Sequence, residues 1–268
     1  MKKLYPLLFV LLVGMYSCQE VITVNLNSIS AKLVVEGNVN NMPGPYTIKL
    51  STTTNYFGPA GTNPLSGAKV VIADNAGNAD TLHEATPGNY LTSTLKGTIG
   101  STYYLTITSS GKTYTAWSTM PDTVQIDSVS YSLRPAGRPG SGSLPSYVVT
   151  LSFTDPPALG NNYGFRLFHN GVLLDDIVDN RVINDKFING NAQHYRLRNS
   201  ALLIGDSVQV DLVCFDKNAF DFYNTLKGTL TAGGPFSAPP SNPTTNITNG
   251  ALGTFGAYAY RSRKFQLQ

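Results

Sequence analysis

Few side chains here could do chemistry, and they lie far apart in the chain. The three histidines, His83, His169 and His194, lack the H-x-x-x-H spacing that would offer two imidazoles to one metal, so surface or strand roles are expected. Glutamate is scarce: Glu20, Glu36 and Glu84 stand against thirteen aspartates, and a paired-carboxylate glycosidase would need Asp in both roles. No G-x-S-x-G elbow occurs, and no familiar Cys–His pattern. The acidic stretch Asp175-Asp176-Ile177-Val178-Asp179-Asn180, with Asn184 and Asp185 nearby, could offer oxygens to Ca²⁺. It lacks the D-x-[DN]-x-[DN]-G spacing, and Asp and Asn are also the ordinary residues of tight turns. The expectation is a protein that is not an enzyme and needs neither metal nor cofactor.

Cysteine is more informative, because there are only two, Cys18 and Cys214. Lys2 and Lys3 precede an apolar run from Leu4 to Val13, followed by Gly14-Met15-Tyr16-Ser17-Cys18, the layout of a signal peptide. That run is about half the ~20 residues a helix needs to cross a bilayer. A small residue directly before Cys resembles the bacterial lipobox, in which the thiol is acylated and the cysteine becomes the first mature residue. An ordinary secretory signal with an incidental Cys18 is the alternative. Acylation would leave Cys214 alone in the apolar stretch Val208–Phe215, where a buried, inert thiol is expected and no disulfide. Several acyl chains, at about 0.8 kcal/mol per buried methylene, would hold the remaining chain on a membrane.

Removal of residues 1–17 takes away Lys2 and Lys3 and leaves 17 basic against 16 acidic side chains. Nothing in that balance suggests nucleic acid, which calls for a clustered basic face. The abundance of Thr, Tyr, Gly, Asn and Ser predicts strand and turn almost throughout. Residues 18–31 read as a short polar tether. Strands follow at 32–39, Tyr46–Ser51, Ala68–Ala73, Tyr103–Thr108 and Thr113–Ser118, punctuated by turn signals such as Asn75-Ala76-Gly77-Asn78, a spacing that suggests a β-sandwich over 32–121. Within it Gly67–Asp74, Gly88-Asn89-Tyr90 and Gly100–Ile107 resemble immunoglobulin-like modules, with Tyr103 placed to act as a tyrosine corner. The only tryptophan, Trp117, falls in a strand, where core packing is expected.

A second run opens at Val124–Tyr131 and continues through Tyr147–Phe153, Tyr163–Asn170, His194–Asn199 and Asp206–Phe215. Phe220, Tyr223 and Leu226, each three apart and followed by Gly228 as a stop, predict one short helix over 216–227. The expected fold is all-β: two β-sandwich, immunoglobulin-like modules, 32–121 and 122–268, with that helix in the second.

Taken in order, these pieces resemble the Bacteroidota outer-membrane lipoproteins catalogued as domain of unknown function 4249. The resemblance rests on the lipobox and tether, Lys32-Leu33-Val34-Val35-Glu36-Gly37, Ser66-Gly67-Ala68-Lys69-Val70, Gly100–Ile107, Ile126-Asp127-Ser128-Val129, Asp185-Lys186-Phe187-Ile188-Asn189-Gly190, the strand leading into the Phe220–Tyr223 helix, and Asn246–Ala257. It implies an outer-membrane lipoprotein encoded beside TonB-dependent transporters, and no catalytic residues.

Two further features concern sites. Asp80-Thr81-Leu82, Asp122-Thr123-Val124, Asp127-Ser128-Val129 and Asp206-Ser207-Val208 match the Asp-(Ser/Thr)-aliphatic pattern that resembles the O-glycosylation signal of exported Bacteroidota proteins. Thr81, Thr123, Ser128 and Ser207 are thus candidate acceptors, although an Asp turn leading into a strand gives the same pattern. Phe236, within the Pro/Gly-rich loop Gly233–Asn246, could anchor a partner or belong to a plain crossover. The functional expectation is an accessory lipoprotein, membrane-attached through Cys18 on either face of the outer membrane and partnered with a TonB-dependent transporter. A glycan- or peptide-binding surface module and an adhesin-like spacer are the alternatives, and the oligomeric state is open.

Overall fold

The computed structural model describes residues 30–54, 63–136, 145–177, 179, 182–197, 202–231 and 241–268. Cys18, most of the tether and Phe236 lie outside the described residues. In chain order the strands are β1 (Leu33–Asn40), β2 (Thr47–Thr52), β3 (Asn63–Pro64), β4 (Lys69–Asp74), β5 (Ala79–Thr81), β6 (His83–Thr86), β7 (Asn89–Leu91), β8 (Thr102–Ser109) and β9 (Lys112–Thr119). They continue with β10 (Ser128–Arg134), β11 (Ser146–Thr154), β12 (Asn162–His169), β13 (Val172–Asp175), β14 (Ile183–Asn184), β15 (Ala192–Leu197), β16 (Ser207–Cys214) and β17 (Leu252–Gln266). Among the described residues there is one α-helix, α1 (Lys217–Thr231). The all-β class with a single helix is what the strand and turn residues dictate.

Alternation orients the strands. In β1 the positions Leu33, Val35 and Val39 are buried while Val34, Glu36, Asn38 and Asn40 face the other way; in β2, Ile48 and Leu50 point in and Thr47 and Lys49 out. The largest sheet runs β13-β12-β16-β17-β1-β2-β7-β6, with β14 added on β12 and β3 on β2. It draws β1, β2, β6 and β7 from before residue 121 and β12, β13, β16 and β17 from after it. The junction is the parallel pair β1–β17, with Val34 beside Leu252 and Asn40 beside Tyr258. Two smaller sheets, β5-β4-β8-β9 and β10-β11-β15, share one continuous core with it: Val35, Ile48, Phe255 and Leu212 of the large sheet join Ile72 and Leu105 of one and Leu151 and Phe153 of the other. Tyr103 is fully buried, and its hydroxyl accepts from Thr98 N (2.7 Å) and donates to Lys96 O (3.2 Å), pinning the approach to β8.

β17 is the strand that positions the site. Thr254 through Tyr260 are buried without a break, because this strand is paired on both edges and covered on both faces. Phe255, Ala257 and Ala259 enter the main core, whereas Tyr258 and Tyr260 enter a second cluster with Phe215 and Ala219, against which Phe220 and Tyr223 of α1 pack. Two glycines make this possible. Gly253 has φ +91° and a Cβ there would sit 1.9 Å from Val35 O, while a Cβ on Gly256 would sit 2.1 Å from the Tyr258 ring.

The helix differs from its expected end: it passes through Gly228 to Thr231 instead of stopping at 227. A glycine terminates a helix by adopting the left-handed conformation, and Gly228 is not among the glycines with positive φ. The Thr225 and Thr229 hydroxyls also tie this segment down, donating to Asp221 O (2.7 Å) and Thr225 O (3.1 Å). At the other end Asp216 is the N-cap: Oδ1 accepts from Ala219 N (3.0 Å) and Oδ2 from Ser118 Oγ (2.8 Å), so one carboxylate starts the helix and ties it to β9.

Candidate functional site

The sequence candidates do not converge. His83 is exposed on β6, His169 meets Asp206 at 3.0 Å on β12, and His194 meets Ser152 at 2.7 Å on β15. Ser93, which has a lysine three positions on, lies 3.5 Å from His83 Nδ1; that is longer than the roughly 2.6–3.2 Å at which a base activates a nucleophile. Cys214 is buried and unpaired, and burial pushes its thiol up to about 12, so it stays protonated and inert. The acids around Asp179 are taken up by backbone N–H groups: Asp179 Oδ2 accepts from Asp176 N (2.9 Å) in its own loop, and Asp185 Oδ2 from Gly160 N (2.6 Å) and Asn161 N (2.8 Å) of a neighbouring one. Among the described residues no group of three or more His, Cys, Asp or Glu could hold a metal ion.

The four candidate acceptors all reach solvent. Thr81 and Ser128 are exposed, Thr123 and Ser207 half-buried, and the following Leu82, Val124 and Val208 are buried. Trp117 is a correction: it is 55 % exposed, because Ala116 and Ser118 take the inward positions of β9. Its partner across the ladder is Tyr104, itself 48 % exposed. Phe187 and Leu159 are exposed at 86 % and 75 %, on the two loops that the Asp185 carboxylate ties together.

What the fold does assemble is a groove of about 830 Å³ on the outward face of the large sheet, within the ~300–1,000 Å³ usual for ligand clefts. Its floor is Glu36, Asn38 and Asn40 of β1, Lys49 of β2 and Tyr258 and Tyr260 of β17; α1 contributes Phe222, Tyr223 and Leu226, and the segment Met42–Tyr46 contributes Met42, Pro43 and Pro45. Asn41 fixes that segment by mimicking a strand partner: its Oδ1 accepts from Tyr260 N (2.7 Å) and its Nδ2 donates to Tyr260 O (3.1 Å). Tyr46 helps, with its hydroxyl donating to Met42 O (2.9 Å) and accepting from Gly97 N (2.8 Å). A second hollow of about 820 Å³ on Met42–Tyr46 and Thr92–Gly97 shares this segment, but it lacks the charged and aromatic cluster.

At one end of the groove Arg166 lies over the rings of Phe168 (4.8 Å) and Tyr260 (5.2 Å). Asp176 is 3.5 Å from its Nε and Asp211 3.8 Å from its guanidinium, and Nε is shut from solvent without a hydrogen bond. Burial pushes the phenols of Tyr223, Tyr258 and Tyr260 upward, so they serve as neutral hydroxyls and apolar surface. Among the described residues, the groove is lined by no histidine, cysteine or serine.

The family model for the domain of unknown function DUF4249 matches residues 19–264. The chain belongs to this family. Among curated proteins, none matches it. In this DUF4249 protein the groove residues were not singled out from sequence. The outward alternation Glu36-x-Asn38-x-Asn40 is legible as a strand face, but nothing local tells that Tyr258 and Tyr260 lie beside it or that a helix beginning at Lys217 overhangs them.

Proposed function

We propose that this DUF4249 protein is a non-catalytic outer-membrane lipoprotein of the Bacteroidota type that recognises a ligand in the groove and works as an accessory of a TonB-dependent transporter. Cys18 carries the acyl anchor. The observation that supports recognition is the preformed groove, where aromatic and amide side chains meet two acidic and two basic ones. The transporter contact falls on Phe236, in the Pro/Gly-rich loop, and on the exposed side chains of Phe187 and Leu159. Pulling the native protein from membranes in mild detergent is expected to bring a TonB-dependent transporter with it. Its absence from repeated pull-downs would count against the accessory role, and turnover of any bound ligand would count against the non-catalytic one.

A surface module that binds without a transporter is the second reading, favoured by the exposed, cross-strand Tyr104–Trp117 pair, since aromatic side chains left in water mark binding surfaces.

A further inference from the structure

We propose that the groove takes a neutral oligosaccharide, laid along the β1–β17 floor beside α1. This rests on the recognition reading above and adds the class of ligand. Charge is the first argument. The charged residues lining the groove are Glu36, Asp176, Lys49 and Arg166, two of each sign. Glu36 sits directly across the ladder from Lys49, and Arg166 is already flanked by Asp176 and Asp211. A phosphate, carboxylate or ammonium group would find a like charge beside each opposite one.

Backbone pairing decides between a sugar and a peptide. An extended peptide gains most of its affinity by adding a strand to a free edge, and over Val34–Gly37 the floor offers none, since β1 is bonded there to β17 on one side and to β2 on the other. Recognition there runs through side chains alone. Asn40 Nδ2 donates to Asn38 Oδ1 (3.0 Å) and Asn40 Oδ1 accepts from Met42 N (3.0 Å), an arrangement that holds both amides still, while no protein group among the described residues takes the Asn38 N–H groups. Amides that donate and accept, with the Glu36 carboxylate, suit sugar hydroxyls, which do both. The half-buried rings of Phe222 and Tyr223 offer flat apolar surface to the C–H face of a pyranose.

Full-length protein held in detergent is probed on an array of neutral, sialylated and sulfated saccharides, and separately with a tryptic peptide mixture by thermal shift. Retention of neutral saccharides is expected, weakened about tenfold by Phe222→Ala, in keeping with loss of one aromatic contact, and comparably by Asn38→Ala. Leu133→Ala, exposed on β10 and outside the groove, should leave it unchanged. Should Phe222→Ala unfold, Asn38→Ala and Glu36→Gln on the outward face of β1 carry the test. Retention of anionic saccharides alone, no retention, or retention indifferent to these variants overturns the proposal. Peptide stabilisation that these variants abolish overturns the sugar class while the recognition reading stands, and transporter co-purification is scored independently of both.

Discussion

Asp80 is 5 % exposed, and its Oδ2 receives the backbone N–H groups of Ser93 (2.8 Å), Thr94 (2.7 Å) and Leu95 (2.9 Å). Burial alone would raise its pKa, but the three donors outweigh it and hold the carboxyl below its ordinary value. Asp80→Ala strips one acceptor from three N–H groups and is expected to cost about 2–3 kcal/mol, read as a lower urea midpoint at unchanged slope. The same residue shows how an Asp-Thr-Leu triplet arises from structure: Asp80 and Leu82 are inward anchors and Thr81 the exposed position between them. That placement accounts for the triplet and also leaves the hydroxyl open to modification. If Thr81, Thr123, Ser128 and Ser207 are glycosylated, the intact mass of the native protein exceeds that of the acylated polypeptide. A mass equal to the acylated polypeptide alone removes the idea.

At the scale of elements, α1 and β17 together make the groove, and each has a residue that tests this. Asp216→Ala removes the helix cap and the tie to Ser118 and is expected to cost about 1–2 kcal/mol, with a matching loss of order near Phe222 in hydrogen exchange. Asp216→Asn sheds a buried charge whose pKa burial has raised but keeps only one of the two accepting oxygens, so it should cost less than Asp216→Ala. Gly228→Ala meets open space in a helix interior and should add about 0.5–1 kcal/mol. Gly253→Ala, with positive φ and Val35 O in the way, should destabilise by about 3 kcal/mol or more and break the β1–β17 pairing. Individual strands were legible because inward and outward residues alternate, as in β1, β8 and β9. The shared sheet was not, because its junction pairs residues near 34 with residues near 252, a contact no local pattern encodes. β17 itself hid because Thr254–Tyr260 is buried on both faces and so shows no alternation. Trp117 was misread for the converse reason, bulk being weighed above its place between Ala116 and Ser118. The groove was illegible as a site because its amides and tyrosines are ordinary strand residues until α1 overhangs them.

For the whole molecule, the acids set the pH response. Hydrogen bonds from Ser66 and from the Gly67 and Gly88 N–H groups pull Glu84 from its ordinary 4.5 to about 2, and Asp74, Asp80 and Asp206 are lowered too. A depressed folded pKa gives stability that is present above the unfolded value and lost as pH falls through the folded one. Asp216, raised by burial, acts in the opposite sense, favouring the fold below its ordinary 3.8 and losing that as pH climbs. Four against one predicts urea midpoints that hold near neutrality and drop from about pH 4 toward 2, and a flat profile through that window would contradict the assignment. Attachment is the remaining whole-molecule property. Among the described residues no helix is long and apolar enough to cross a membrane, and the chain after residue 17, with 17 basic and 16 acidic side chains, has little charge to hold it on an anionic surface. If acylation at Cys18 supplies the retention, Cys18→Ser should shift the protein from the carbonate-washed membrane pellet to the supernatant while its thermal unfolding is unchanged, and a variant that stayed in the pellet would place the anchor elsewhere.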